Sequence, residues 1–243
     1  MIALIDADVI MYRSAWKHDG DDTFDDCKET IDAMFEYVFF RTKATHYLGF
    51  LTGSDNFRKD VAFTKVYKGN RKDRNKPQWI EACRDYLIEV WLCEISHGME
   101  ADDSLGICQT EFNEPTIVCT IDKDLQQVSG CHYNWNTDII SLQLDMDAEY
   151  MVWQQVLQGD STDNIQGIPR IGEVKAKKIL DASEFEDYDY SDACLKAYKD
   201  YYKEEDLAKK MMQETYDLTT IAISSTDSRL KTNYKLPEPI PIF

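Results

Sequence analysis

Four short apolar runs constrain this chain most: residues 2–5 (IALI), 47–51 (YLGFL), 117–120 (IVCT) and 139–142 (IISL). Each is too short for an ordinary helix, and the stretches between them are longer and carry helical periodicity. That alternation predicts an α/β fold built on a sheet flanked by helices. Three of the runs lead into polar residues: Asp6, the series Thr52, Gly53, Ser54 and Asp55, and Asp122-Lys123-Asp124. In an open parallel sheet, ligand sites are built at the carboxyl ends of the strands.

Pro77 followed by QWIEACRDYLIEVWL predicts a helix with proline near its first turn and an apolar stripe of Ile80, Cys83, Leu87 and Val90 or Trp91. From Tyr150 onward the chain reads as mostly helical, and the closing LPEPIPIF cannot be helical through its prolines, so it is expected to pack over the core. The 243 residues are read as a single domain. Residues 1–145 form its α/β core, with an arch at 57–91, and residues 146–243 form a helical part with a hairpin at 160–180.

Seven dispersed cysteines, an odd number without a Cys-x-x-Cys pair, argue against a disulfide framework and a zinc site. No apolar segment approaches the roughly 20 residues needed to span a bilayer, and the N-terminal apolar run has no basic residues before it. A cytoplasmic protein with no membrane association is expected, monomeric by default. Four scattered histidines show no ligand spacing.

The net charge of −18 speaks against nucleic acid, because phosphate neutralisation dominates such binding. Its distribution says otherwise. FRKDVAFTKVYKGNRKDRNK, from Phe57, holds eight basic residues against Asp60 and Asp73, a local balance of +6, while residues 19–36 and 181–206 each carry −7. A basic stripe on an acidic body is an electrostatic address.

GMEADDSL, at residues 98–105, puts three carboxylates into four residues before an apolar, helix-like run. Acidic residues favour helix N-termini, and at about 100° per residue Glu100 and Asp103 share a face while Asp102 points elsewhere. Further pairs are Asp6 with Asp8, Asp122 with Asp124, and Asp160 with Asp163, the last spaced to share a helical face. If these converge, their repulsion is more than a marginally stable fold can absorb. Divalent cations remove that cost: all-oxygen ligation suits Mg²⁺ or Mn²⁺, and two such ions ~4 Å apart form a clamp for phosphodiester displacement.

Gly167 and Gly172, five apart with apolar residues between and a lysine-bearing stretch after, read as a helix-hairpin-helix turn. Its glycines and helix start would bring backbone N–H groups to a nucleic-acid phosphate.

Taken in order, LIDADVIMYRSA, YKGNR, GMEADD, TIDKDL and GDSTDNIQGIPRIG closely resemble the flap endonuclease superfamily of 5′ nucleases, particularly its phage-encoded 5′→3′ exonucleases. The resemblance spans residues 2 to about 180. It implies a PIN-like, mostly parallel twisted sheet with a helical arch or basic loop and a helix-hairpin-helix (H3TH) element that holds duplex. It also implies hydrolysis of DNA, and of RNA in RNA:DNA hybrids, from 5′ ends, flaps or branched junctions, in phage DNA replication or degradation in the host cytoplasm.

Carried over position by position, the resemblance implies Asp6, Glu100, Asp102 and Asp103 at a first metal and Asp122, Asp124, Asp160 and Asp163 at a second. Both would hold Mg²⁺ or Mn²⁺, with K⁺ a further candidate at the helix-hairpin-helix. Lys68 and Arg71 resemble catalytic arch residues that contact the scissile phosphate. Tyr67, Asn70 and Lys72 lie beside them as DNA contacts, Arg13 resembles a phosphate-binding position, and Gly167, Ile168, Gly172, Lys175 and Lys177 carry the hairpin contacts.

The chain departs from the family at Gly53, where alignment through NFR expects an aspartate; Asp55 and Asp8 are the further candidates for the first metal. Ala7 stands where glycine is common. A rival is a haloacid-dehalogenase-type phosphatase with Asp6 as nucleophile, since DADV, LTG and GDSTD fit its motifs. It leaves GMEADD, TIDKDL and the hairpin glycines without roles, and it needs a strand at GDSTDN, where VWQQVLQ reads as helix. The other is a catalytically degenerate nucleic-acid-binding relative, against which the full set of carboxylates argues.

Overall fold

The computed structural model describes residues 1–71, 75–184 and 189–243. In chain order the elements are β1 Ile2–Asp6, α1 Ala7–Lys17, α2 Phe24–Thr42, β2 His46–Thr52, the single-turn α3 Arg58–Val61, α4 Ile80–Glu89, β3 Glu94–Ser96, α5 Ala101–Glu111, β4 Thr116–Cys119, β5 Gly130–Asn134 and β6 Ile139–Gln143. They continue with α6 Asp145–Gln158, β7 Gly159–Asp160, β8 Ile165–Gln166, α7 Glu173–Glu184, α8 Tyr190–Tyr202, α9 Glu205–Thr219 and β9 Ile240–Pro241. The chain divides into two compact units, residues 1–56, 75–144 and 221–243 in one and 57–74 with 145–220 in the other.

The first unit holds a sheet in the order β3-β2-β1-β4-β5-β6, with β9 beside β2. Pairing is parallel from β3 through β5 and antiparallel at β6 and β9, which gives the expected mostly parallel α/β sheet. β1 is buried along its whole length, as a strand covered on both faces must be. Its alternate residues serve the two faces. Ala3 and Ile5 pack with Ile10, Ile31, Phe35 and Leu87 from α1, α2 and α4, and Ile2 and Leu4 pack with Leu105 and Cys108 of α5 and with Ile221.

The helix after Pro77 forms as α4, with Ile80, Cys83 and Leu87 buried; Val90 is exposed, while Trp91 stacks on Phe35 with ring centroids 4.1 Å apart. β3 and β5 have no counterpart among the four apolar runs. β3 is three residues long, and β5 reads GCHYN, so neither offers an apolar run. The C-terminal stretch corrects the expected helical part at 146–243: residues 221–243 return to the first unit. β9 pairs antiparallel with β2, and Ile240 and Ile242 pack on the α1/α2/α4 side, so the proline-bearing tail covers core as expected.

In the second unit, α6 to α9 enclose Val156, Leu157, Leu180, Cys194, Tyr198 and Ala208. The buried Tyr198 hydroxyl donates to the Val156 carbonyl at 2.7 Å, so a polar tip is satisfied inside an apolar cluster. The basic segment also belongs here, which corrects the arch reading of 57–91. Buried Arg58 donates to the carbonyls of Leu218 (3.0 Å) and Thr220 (2.9 Å), and Glu214 Oε1 accepts the N–H groups of Phe63 (2.6 Å) and Thr64 (2.7 Å). Its described helical content is α3 and one 3₁₀ turn at Gly69–Arg71, whereas α4 packs in the first unit. Among the described residues no helix is long and apolar enough to cross a membrane.

Candidate cation and nucleic-acid site

Because β1, β2, β3 and β4 are parallel and in register, their C-terminal residues Asp6, Thr52, Ser96 and Cys119 reach the same edge of the sheet. Strand order reverses direction at β1 and β4, and the helices leaving the sheet cover opposite faces, α1 and α2 on one and α5 on the other. Such a switch point leaves a crevice at the strand ends. Asp6 caps α1, its Oδ1 accepting the Val9 N–H at 3.2 Å and its Oδ2 the Thr120 hydroxyl at 2.7 Å. Thr120 in turn accepts the Asp122 N–H (2.9 Å), and Asp122 Oδ1 accepts the Asp124 N–H (2.9 Å).

The start of α5 supplies the rest. Glu100 is its N-cap and forms a capping box with Asp103, the shared face expected from the spacing. Asp102, between them in sequence, is held differently: none of the hydrogen bonds or ion pairs of the described residues involves it. Burial first, then the carboxylates of Asp6, Asp122, Glu100 and Asp103, push its carboxyl well above the usual range. Burial and Asp8 raise Asp6 to about 7 against the opposing bonds from Thr120 and Val9, with Asp122 adding to the rise. Asp8 is raised too, mainly by burial, while Thr52 and Arg84 favour its charged form.

These acids therefore crowd one strand edge and raise one another's free energy. Among the described residues no three Asp, Glu, His or Cys groups close around one point, so the carboxylates repel without forming a finished cage. The donor set, all carboxylate oxygen and short of positive charge, fits a hard divalent cation.

Three positions behave differently from the expectation. Asp103, expected to reach toward metal, is wholly buried; its Oδ2 accepts the Glu100 N–H (3.0 Å) and its Oδ1 the Ala222 N–H (2.9 Å), so both oxygens hold backbone. Asp55 is exposed and held below the usual carboxylate range, chiefly by the Gly98 N–H. Gly53 leaves no room for the missing aspartate: its N–H donates to the Ser96 carbonyl at 3.1 Å, and a Cβ built there would lie 2.5 Å from that oxygen. Arg13, on α1, donates to the Asn136 side chain. The hydroxyls of Thr52 and Thr120 escaped the sequence reading, although a threonine closing an apolar strand next to acids was the signal.

Asp160 and Asp163 do not share a helical face. They lie on the β7–β8 hairpin, outside the main sheet, where Asp160 Oδ1 accepts the Thr162 N–H at 2.7 Å. The phosphatase reading, which needs a strand of the main sheet there, has none. Asp163 faces the YKGNR segment of its own unit: it pairs with Arg71, accepts the Tyr67 hydroxyl at 3.1 Å and lies 3.5 Å from Lys68 Nζ. Asn70 donates to the carbonyls of Ser161 (3.0 Å) and Thr162 (3.2 Å), so the two motifs are laced together. Lys72 lies outside the described residues.

The two hairpin glycines differ. A Cβ on Gly167 would lie 2.3 Å from the Gln158 carbonyl carbon and 2.4 Å from the Gly159 nitrogen, so this glycine is required by close backbone packing. Gly172 is exposed, with nothing within 4 Å of a built Cβ, and its carbonyl begins α7 by accepting from Lys175 and Ala176. Ile168, expected on the DNA side, is buried among α6–α9 residues, and its N–H is spent on the Leu157 carbonyl (3.0 Å). Lys175 and Lys177 are exposed.

No protein-family model matches the chain. It is 29% identical over 131 residues to an exodeoxyribonuclease of Enterobacteria phage T3, covering 50% of this chain and 42% of that protein. It is 27% identical over 168 residues to a 5′-3′ exonuclease of Mycoplasmopsis pulmonis, covering 59% and 56%. The chain thus spans about half the length of these curated relatives. The T5 D15 protein crystallised with metal ions shares its fold, with a TM-score of 0.63, 16% identity and 90% of each chain covered. In a complex with DNA and metal ions the T5 D15 flap endonuclease gives a TM-score of 0.59 at 16% identity over 90% of this chain and 98% of that one. The chain thus has the fold of the T5 D15 protein, and about half of it is similar in sequence to these exonucleases.

Proposed function

We propose that the chain is a divalent-cation-dependent 5′ nuclease that hydrolyses phosphodiester bonds of DNA from 5′ ends or at flaps. The observation that carries this is the crowding of Asp6, Glu100, Asp102 and Asp122 at the switch point of the sheet, with the carboxyls of Asp6 and Asp102 forced upward. The relatives' names, exonuclease and 5′-3′ exonuclease, support the same reading.

When bound, Mg²⁺ or Mn²⁺ would supply Lewis acidity toward the phosphate and an activated water. Asp6, Glu100 and Asp102 would hold such an ion, and Asp122 and Asp124 belong to the second. Thr120 fixes the orientation of Asp6 and, through the Asp122 N–H, the start of the TIDKDL turn. Asp160 and Asp163 enter through the motif resemblance only, as does a K⁺ at the hairpin. Lys68 and Arg71 would stabilise charge on the reacting phosphate. Exposed Gly172 and the start of α7, with exposed Lys175 and Lys177, would hold duplex backbone. RNA in RNA:DNA hybrids is the second substrate class to try.

The test uses 5′-labelled duplex, flap and hybrid substrates with Mg²⁺, Mn²⁺ or EDTA. Cleavage that requires divalent ions is expected, and none with any ion would end the nuclease reading in favour of a binding relative. Lys68→Ala should stay folded and lose at least about a hundredfold in rate.

A further inference from the structure

The motif resemblance expects an aspartate near the end of β2, and Gly53 cannot carry one because its backbone lies against Ser96. Asp55 is turned to the Gly98 amide instead. Asp8, in the first turn of α1, reaches that strand end: its Oδ2 accepts the Thr52 N–H at 3.0 Å.

Thr52 is the joint. Its hydroxyl oxygen accepts the Ala101 N–H at 3.0 Å, tying the strand end to the residue between Glu100 and Asp102, and its carbonyl accepts Arg84 at 2.8 Å. The neighbours of Asp8 include Glu100 and Asp6 on the acidic side and Arg84 on the basic side. We propose that Asp8 takes the place of the aspartate that Gly53 excludes, supplying negative charge to the cation held by Asp6, Glu100 and Asp102. This rests on the cation-dependent reading above.

A cap on Thr52 alone would need only an acceptor at position 8, whereas a cation needs the charge, and asparagine separates the two. Mn²⁺ binding is measured by calorimetry on the full chain without DNA, alongside melting temperatures in EDTA, for the wild type, Asp8→Asn, Arg84→Gln and Asp102→Asn. Asp8→Asn should bind Mn²⁺ roughly tenfold more weakly while melting no lower than the wild type. Arg84→Gln, which removes the cation competing for Asp8, should bind Mn²⁺ more tightly, opposite to the effect of damage to the fold.

Wild-type affinity in Asp8→Asn, together with weakened binding in Asp102→Asn, overturns the role of Asp8 and leaves the nuclease reading standing. Unchanged or weaker binding in Arg84→Gln also counts against Asp8. Absence of Mn²⁺ binding by the wild type removes both.

Discussion

Adjacent carboxylates in this chain have opposite duties. Asp102 lies among like charges without a hydrogen bond or ion pair among the described residues, while Asp103 holds two backbone N–H groups. Asp102→Asn should therefore raise the melting temperature of the metal-free protein near neutral pH while lowering cleavage by about two orders of magnitude or more. Asp103→Ala should do the reverse in kind: urea titration should show a loss of about 2–4 kcal/mol, because two buried amides lose charged acceptors. Equal effects of the two changes on stability would contradict this division. The crowding of acids at GMEADD was legible in the sequence, and so was the pairing of Glu100 with Asp103 through helical spacing. The partner of Asp103 was not, because Ala222 is brought to it by the return of the C-terminal stretch.

Elements were legible where periodicity and punctuation agree. β1, β2, β4, β6 and α4 follow the apolar runs and Pro77, while β3 and β5 are strands only because neighbours lend them ladder bonds. The helix-hairpin-helix glycines show the limit of a motif: Gly167 and Gly172 look equivalent in sequence, but one is pressed against Leu157–Gly159 backbone and the other borders open space. Gly167→Ala should cost about 2 kcal/mol or more in stability, since backbone must shift to admit the methyl group. Gly172→Val should melt within about 0.5 kcal/mol of the wild type yet bind duplex DNA more weakly, because the bulk falls where a phosphate backbone would approach. Thermal melts with fluorescence anisotropy on a labelled duplex separate the two, and a destabilised Gly172→Val with unchanged affinity would reverse the assignment. The i, i+3 spacing of GDSTDN suits a helix, but the segment forms a hairpin. Its shape is set by the β7–β8 hairpin and the Tyr67, Asn70 and Arg71 contacts, which no local periodicity encodes.

For the whole molecule, the acidic edge makes stability depend on pH and on divalent ions together. Asp6 is held at about 7 against an ordinary 3.8, and Asp8 and Asp102 move in the same direction. A raised carboxyl means that the folded state keeps its proton longer than the unfolded chain. Its stabilising contribution is therefore complete below the ordinary value and is lost as pH rises through the folded value. Lowered groups act oppositely at lower pH, His132 and Glu205 among them. His132 is kept below its ordinary 6.5 by burial, and Glu205 is lowered to about 2 beside Lys209 and Lys199, so both cost stability as the solution is acidified. The window from about pH 6.5 to about pH 8 lies above both effects and still spans the loss from Asp6 and the groups raised with it. Across it the melting temperature in EDTA should fall, and in Asp102→Asn it should fall less. Millimolar Mg²⁺ should flatten the slope, because an ion that binds only the folded state adds RT ln(1 + [L]/Kd), about 2.7 kcal/mol at a hundredfold excess over Kd. Since the net charge of −18 also repels at every pH in this window, Na⁺ at matched ionic strength is the control. A slope flattened equally by Na⁺ would assign the effect to general screening and not to ions bound at the strand edge.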